Sequence, residues 1–506
     1  MADGKRIVKN TGFLYIRMLL VMGVSLFTSR VVLDKLGVGD YALYTVVGGV
    51  VGMLSFLNGT LSVGTSRFLT YELGAGNRDR LKDTFVTTFY THLILATLIL
   101  LVMETGGMWY LYNKLVAPPE RMDACFIVFQ LSIFTMMVSI TQVPYTASIM
   151  SHEKMGVYAY VSVFEALAKL GVCYMIVVTE YDRLIVYASL IALVQVVVAF
   201  TYRFYCIHQF GECRLSLSFD KSIFKDLLGF SGWNVIANLT ETLKIQGVLI
   251  LMNMFLQPFV VASQAIANQV AQAMMQFVDN IRVAINPQVI KSYAAGDYEA
   301  SKKLTLQSAT YVYDVLLLLG LPLILLVRPI LNVWLVEVPE YAAVFVQFTI
   351  ATRIISNFSA AFYIPMIASG KVKKNSMAAL FLGVGQFVLM YFLLRMGYGV
   401  MVVLYLPLIV SSIFAFIVKP YILIKDIDYK VSDILPCVVS CLKVTILSCA
   451  VSVPMVFLFD VDRLPGFIAV LVISVGAVIF SSLFFMEQEM RNKILQIIKG
   501  KLGYGV

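Results

Sequence analysis

The sequence predicts an all-α integral membrane protein of about fourteen transmembrane helices, built as two parallel six-helix repeats (lobes) plus two C-terminal helices. Three observations predict it. The first is composition: of 506 residues, 60% are hydrophobic and only 14% charged, against about 45–50% and about 25% in a soluble domain. The mean hydropathy is +0.85. A water-soluble fold cannot hide this much apolar surface, because a soluble chain of this length divides into several smaller cores. The second is run length: the apolar stretches reach the roughly 20 residues that a helix needs to cross a bilayer core, well beyond the roughly 10 of a barrel strand. The third is an internal repeat, described below.

A 20-residue ruler along the chain marks fourteen stretches: 11–33, 41–64, 84–113, 121–150, 157–179, 184–208, 228–255, 260–285, 304–333, 341–369, 375–396, 398–424, 435–459 and 464–486. Pro144, Pro322, Pro365 and Pro407 fall inside them, where membrane helices tolerate proline as a bend. The loops on the N-terminal side hold 26 Lys and Arg, and those on the other side hold 6. The side richer in cations is cytoplasmic, so both termini are expected inside, in agreement with an even number of spans. The net charge of +9 is therefore a topology signal, with no basic soluble face for nucleic acid. Residues 1–10 are short and basic, with no small-residue cleavage site after the first apolar run, and read as leading into an uncleaved helix.

The two halves align without a gap at an offset of 220. Thr11-Gly12 falls on Ser231-Gly232, Leu36 on Leu256, Ala75-Gly76 on Ala295-Gly296, Asp79 on Glu299, Lys82 on Lys302, and Pro119-Glu120 on Pro339-Glu340. Six spans repeated in the same orientation make a parallel repeat, whose halves rock around a central site in alternating access. The expected organisation is an N-lobe at 1–210, a C-lobe at 211–430, two added helices at 431–490 and a cytoplasmic tail at 491–506.

Ionisable side chains at bilayer depth cost about 2.5–3.5 kcal/mol on insertion scales and mark function. Arg17 and Arg353 have no acid within a turn, and Asp314 has no local cation. Glu165 and Lys169 are four residues apart, and Glu241 and Lys244 three, so each pair can neutralise itself on one helix face. At the repeat offset Arg17 falls on Ala237 and Lys244 on Val24, so the lobes share a scaffold and differ in charge. Arg17, Lys244 and Arg353 are the candidate cavity cations. They imply an anionic cargo group, and the planar fork of Arg suits phosphate oxygens. Glu165, Lys169, Glu241 and Asp314 are candidates for the cavity or for ion coupling.

Signals for catalysis are poor. No nucleotide, zinc-protease or serine-hydrolase motif occurs, and no cofactor, catalytic residue or metal site is expected. The seven cysteines form no CxxC pair, and His92, His152 and His208 are scattered. The acid pairs Asp426/Asp428 and Asp460/Asp462 sit in short loops at helix ends, where acids are common. Gly48 and Gly52 form a GxxxG, expected to bring helices into close contact.

The stretch from Asn10 to Gly76 resembles the polysaccharide flippases of the MATE-like multidrug/oligosaccharidyl-lipid/polysaccharide (MOP) exporter superfamily. The residues that carry it are NTGFLYIR at 10–17, SRVVLDKLGVGDYALYTVVGG at 29–49 and SRFLTYELGAGN at 66–77; the 6+6+2 span pattern extends it over the whole chain. The resemblance implies a transporter that moves undecaprenyl-diphosphate-linked oligosaccharides from the inner to the outer leaflet of the bacterial cytoplasmic (inner) membrane, for O-antigen, capsule or exopolysaccharide. It implies that Arg17, on the first helix, meets the diphosphate; Lys244 and Arg353 join by chemistry alone. It also implies the lipid-linked glycan, the bilayer and polysaccharide assembly proteins as partners. The rivals are a cation-coupled multidrug exporter, which would favour cavity acids, and a peptidoglycan lipid-precursor flippase, which handles the same diphosphate. A membrane glycan polymerase or glycosyltransferase would need a long external loop, and the loops here are short.

Overall fold

The computed structural model describes residues 2–152, 154–486 and 491; within these it describes the side chains other than those of 2–17, 56, 58–60, 63, 74, 75, 155, 229–238, 279–281, 283, 284, 287, 291 and 294. The described residues form helices and no strand. In order these are α1 (Ala2–Gly52), α2 (Ser55–Ala75), α3 (Arg78–Asn113), α4 (Met122–Ser151), α5 (Met155–Val178), α6 (Arg183–Gln209), α7 (Lys221–Thr242), α8 (Val248–Phe255) and α9 (Pro258–Ala294). There follow α10 (Tyr298–Leu325), α11 (Val327–Trp334), α12 (Ala342–Phe358), α13 (Tyr363–Ala368), α14 (Lys373–Arg395), α15 (Val400–Asp426), α16 (Val431–Leu458) and α17 (Leu464–Phe485). Among the described residues nine helices are long and apolar enough to cross a membrane: α3, α4, α5, α6, α10, α14, α15, α16 and α17. The other expected stretches fall on α1, α2, α7 with α8, α9, and α12 with α13. Nine described helices are thus long and apolar enough to cross, and the number fourteen rests on sequence.

Backbone contacts group the chain into two compact units. One is Met1–Ala265 with Trp334–Glu340 and Ala379–Val403; the other is Ile266–Val333 with Tyr341–Ala378 and Leu404–Val506.

The first unit packs around two cores rich in Leu, Val, Ile and Phe, and on α3 and α6 small or polar residues line part of the buried face, which allows close helix packing in lipid. On α6, Leu193, Phe200, Phe204 and Ile207 are exposed, while Ala188, Ala192, Ala199 and Cys206 are buried. On α3 the buried face carries Thr84, Thr87, Thr88, Thr91 and His92. Thr88 and Thr91 donate to the carbonyls of Phe85 and Thr87, each at 2.8 Å, and His92 Nδ1 lies 2.8 Å from the Thr88 carbonyl. A Cβ at Gly107 would come within 2.6 Å of the Phe129 ring, so α3 and α4 meet closely there. The second unit follows the same rule where α16 meets α17: Ser448, Ser452, Ser474 and Ser481 are buried, and Ser448 Oγ reaches the Ala477 carbonyl at 3.5 Å.

The repeat seen in sequence reappears as local geometry. Gly76 and Gly296 have φ of 73° and 80°, a left-handed conformation that glycine adopts freely. The next residue then caps the following helix: Asn77 Oδ1 accepts from Arg80 N at 3.1 Å, and Asp297 Oδ1 from Ala300 N at 3.0 Å. Gly37 breaks α1 with φ 77° and ψ 166°, and at the corresponding place Leu256 separates α8 from α9. The wide π-helical turn Met103–Gly107 inside α3 corresponds to the break at Leu326 between α10 and α11. The match is incomplete: the chain turns between α1 and α2 at Met53–Leu54, whereas α9 runs on without a break.

The GxxxG expectation needs correction. Among the described residues a Cβ on Gly48 would meet nothing within 4 Å; instead one on Gly49 or Gly52 would meet the Gln246 side chain, at 3.0 Å and 3.3 Å. The face that Gly49 and Gly52 share accommodates a long polar side chain and not a helix backbone.

One ionic cluster ties three segments of the first unit. Arg121, at the start of α4, donates to both Asp40 oxygens, at 3.0 and 2.5 Å, and to both oxygens of Asp182, the N-cap of α6. Burial alone would raise the Asp182 carboxyl; the Arg121 hydrogen bond and the backbone donors of Ile185 and Leu184 outweigh it and hold the group below its usual range. Arg121→Ala would leave two carboxylates facing each other. We expect a loss of about 2 kcal/mol, read as thermal unfolding of the purified protein in detergent; an unchanged midpoint would show that the cluster adds nothing to stability.

Candidate functional site

Five of the seven sequence candidates lie in the first unit and two in the second. Arg17 is one of the five by position, but its side chain lies outside the described residues. Lys244 stands in the wide turn Leu243–Gly247 that joins α7 to α8. Such turns recur at functional sites because an extra residue per turn loosens the hydrogen-bond ladder. Two glycines seat this turn against α14. A Cβ at Gly383 would meet Thr240 at 2.3 Å and the Lys244 stem at 3.8 Å, and one at Gly247 would meet Phe387 at 2.8 Å. Lys244 Nζ pairs with Glu241 Oε2 at 3.2 Å, and Gln246 of the same turn reaches Gly49 and Gly52. Lys169 pairs with Glu165 at 2.6 Å. The self-neutralising pairs considered from sequence are the ones that form.

The first unit also holds a cavity of about 280 Å³ between α1, α4 and α6, lined by Tyr44, Ser132, Thr135, Ser139 and Gln195 among others. None of its lining residues is charged. Sequence reasoning searched for charges and passed over these hydroxyls and this amide.

In the second unit, Arg353 lies on α12, one turn before the helix ends. The end of that helix gathers two further cations. Arg282, on α9, donates to Asn357 Oδ1 at 2.6 Å and to the Asn357 carbonyl at 3.3 Å. Lys419, on α15, is 6% exposed and donates to the Ser359 carbonyl at 2.8 Å; its ammonium also sits 5.0 Å from the centre of the Phe414 ring. Asn357 Nδ2 returns to the Arg353 carbonyl at 2.8 Å. The physical reason is plain: the last carbonyls of a helix have no intrahelical partner, and the C-terminal end of the helix dipole attracts cations. Arg282 and Lys419 thus meet at the end of α12, and Arg353 is tied to them through its backbone carbonyl, which accepts from Asn357; the sequence candidates did not include Arg282 or Lys419. Both lie inside helices, near the ends of the expected spans 260–285 and 398–424. Arg203 lies on α6, donates to Thr141 Oγ1 at 2.6 Å and stands over the Tyr145 ring.

Asp314 is not part of this cluster. It lines a separate cavity between α10, α16 and α17. Of the two acid pairs at helix ends, the first members are engaged: Asp426 accepts from Lys374 at 2.6 Å, and Asp460 from Arg463 at 3.0 Å.

The cluster makes a direct prediction. Asn357→Ala removes the acceptor of a charge-assisted bond at a residue 7% exposed, which costs about 2 kcal/mol. Asn357→Asp keeps the acceptor and should keep most of the stability. Thermal unfolding of both variants checks this; an Ala variant as stable as the parent would contradict the bond.

No protein-family model and no curated protein matches the chain. Solved structures match its fold. The lipid II flippase MurJ, in an inward closed conformation, superposes with a TM-score of 0.70 at 11% identity, over 94% of this chain and 98% of that one. An inward-facing MATE-family multidrug transporter of the MOP superfamily gives 0.63 at 14% identity, over 80% of this chain and 93% of that one. A MOP-superfamily transporter from Pyrococcus furiosus Vc1, described as having a binding pocket of reversed polarity, gives 0.60 at 14%, over 82% and 94%. The chain therefore has an all-helical fold like that of these MATE transporters and MurJ.

Proposed function

We propose that this protein flips undecaprenyl-diphosphate-linked oligosaccharide units from the cytoplasmic to the outer leaflet of the bacterial inner membrane, by alternating access of its two lobes, for surface polysaccharide such as O-antigen or capsule. The observation that carries the proposal is the sign of the charge inside the helices. Lys244 occupies a loosened turn, Arg282 and Lys419 meet at the end of α12, and Arg353 stands one turn before that end. Only one candidate acid, Asp314, stands there without a basic partner in an ion pair among the described residues. Cationic cargo would call for the opposite balance, so the drug-exporter reading is disfavoured. A diphosphate brings negative charge and acceptor oxygens that Arg holds with two parallel bonds. In this reading Arg17, Lys244 and Arg353 meet the diphosphate, the glycan crosses in the hydrated interior, and the polyprenyl chain stays in lipid. Termini in the cytoplasm follow from the loop charges, and polysaccharide assembly proteins are the expected partners.

A second reading is favoured by one finding. The likeness to MurJ spans 94% of the chain, and the likeness to the MATE transporter 80%. A peptidoglycan lipid-precursor flippase would use the same diphosphate chemistry with a different glycan.

The test is complementation of surface polysaccharide in a flippase-deficient strain, normalised to protein in the membrane. Arg17→Lys keeps the charge and loses the fork, so transport per molecule should fall. Arg17→Ala should fall further, by about tenfold or more, at near-normal abundance. Normal polysaccharide from Arg17→Ala at normal abundance would rule out the phosphate-binding role.

A further inference from the structure

The cavity between α1, α4 and α6 has polar walls and no charge. Its polar wall is one face of α4. Ser132, Thr135 and Ser139 line it, and spacings of three and four residues put them on one side of the helix. The hydroxyls of Ser132 and Thr135 donate to the carbonyls of Val128 and Leu131, each at 2.7 Å, so each oxygen keeps lone pairs to accept with. Ser139 Oγ has no hydrogen-bond partner among the described residues. On α6, Gln195 gives one N–H to Gln142 Oε1 at 3.4 Å; its second N–H and its carbonyl oxygen remain. The α1 wall is notched. A Cβ at Gly48 would meet nothing within 4 Å among the described residues, so this glycine leaves the space open. Tyr44, one turn earlier, supplies an aromatic wall, its ring edge-on to Tyr187 with centroids 4.9 Å apart, and Met136 adds apolar surface.

The cavity adjoins the turn that carries Lys244. Gly52 lines the cavity, and a Cβ on Gly52 would meet Gln246 at 3.3 Å. Gln246 belongs to the wide turn Leu243–Gly247, as Lys244 does. A neutral polar cavity and a cationic turn are thus neighbours within the first unit.

These walls decide among occupants. A hydrocarbon chain would leave the hydroxyls and the amide against a medium that cannot hydrogen-bond. A cation would find no carboxylate in the walls, and an anionic group no cation. A neutral group with several hydroxyls, which both donate and accept, and with an apolar face for Tyr44 and Met136, satisfies every wall. The volume of about 280 Å³ lies at the foot of the range for ligand pockets, roughly 300–1,000 Å³, so it admits one ring and not an oligosaccharide. We propose that this cavity is a subsite for one uncharged sugar ring, the ring next to the diphosphate, with Ser139 and Gln195 bonding its hydroxyls and Tyr44 covering its C–H face. The assignment rests on the diphosphate-linked glycan proposed above and adds a selection rule: a ring bearing a carboxylate is rejected, because that charge would lose its hydration with no cation in the walls to replace it.

The test measures binding to the purified full-length chain in detergent. The probes are farnesyl diphosphate and its conjugates with glucose, galactose, N-acetylglucosamine or glucuronic acid on the terminal phosphate. Against the bare diphosphate we expect at least one neutral conjugate to bind about tenfold more tightly, and the glucuronic acid conjugate to gain nothing. Gly48→Leu, which fills the cavity, should remove the gain; Ser139→Ala and Gln195→Leu should each cut it about threefold. The last two carry the test if Gly48→Leu does not fold. No gain from any neutral sugar, while the bare diphosphate binds, would overturn the subsite and leave the diphosphate reading standing. A gain that survives all three substitutions, or an equal gain for glucuronic acid, would overturn the subsite as well. Failure of every probe to bind would overturn the diphosphate reading and the subsite with it.

Discussion

The rest of the structure depends on one constraint: inside hydrocarbon, every backbone donor and acceptor must find a partner within the protein. The apolar composition commits the chain to the bilayer, and the bilayer commits it to helices. Irregular backbone is then tolerated only where other groups of the protein can satisfy it. The interruptions in these helices are therefore informative. The turn at Leu243–Gly247 carries Lys244 and Gln246. The end of α12 exposes the carbonyls of Asn357 and Ser359, and Arg282 and Lys419 supply the missing donors. Breaks in the ladder and buried cations occur together because each makes the other affordable.

This coupling gives the cations two roles at once. As donors to freed carbonyls they hold the second unit together, and a structural role would suffice to explain their burial. Their positive charge also sets the electrostatic character of the helix interior. A phosphate-bearing cargo exploits that charge without requiring new groups, whereas a cationic cargo would have to overcome it. Asp314 stands apart: it lines a cavity with Thr310, Ser440, Ser482 and Cys437, whose walls include neither Arg282, Arg353 nor Lys419.

Much of the fold was legible in the sequence because hydropathy and loop charge report directly on the bilayer. The repeat was legible for a more specific reason: Gly76 and Gly296 need a left-handed backbone, and Asn77 and Asp297 must cap the next helix, so four residues fix the same turn twice. The site was only partly legible. Glu165–Lys169 and Glu241–Lys244 could be read from spacing because helix geometry alone brings them together. Arg282 and Lys419 could not. They lie near the ends of the expected spans 260–285 and 398–424, and no spacing along the chain shows that the fold brings them to the end of α12. Gly49 was missed for Gly48 because the partner is a side chain, Gln246, that no spacing rule anticipates. The wide turns leave no pattern in sequence, since one extra residue shifts the helical register without a residue type of its own.

The measurement that tests the account most directly is transport by the purified protein in liposomes, with undecaprenyl-diphosphate-linked oligosaccharide in one leaflet and its appearance in the other followed over time. Lipid-linked sugars lacking the diphosphate, and cationic drugs, serve as controls. The account predicts movement of the diphosphate-linked glycan, little movement of the controls, and loss of movement in variants that remove the cations of the helix interior. Transport of cationic drugs with no movement of the glycan lipid would contradict it.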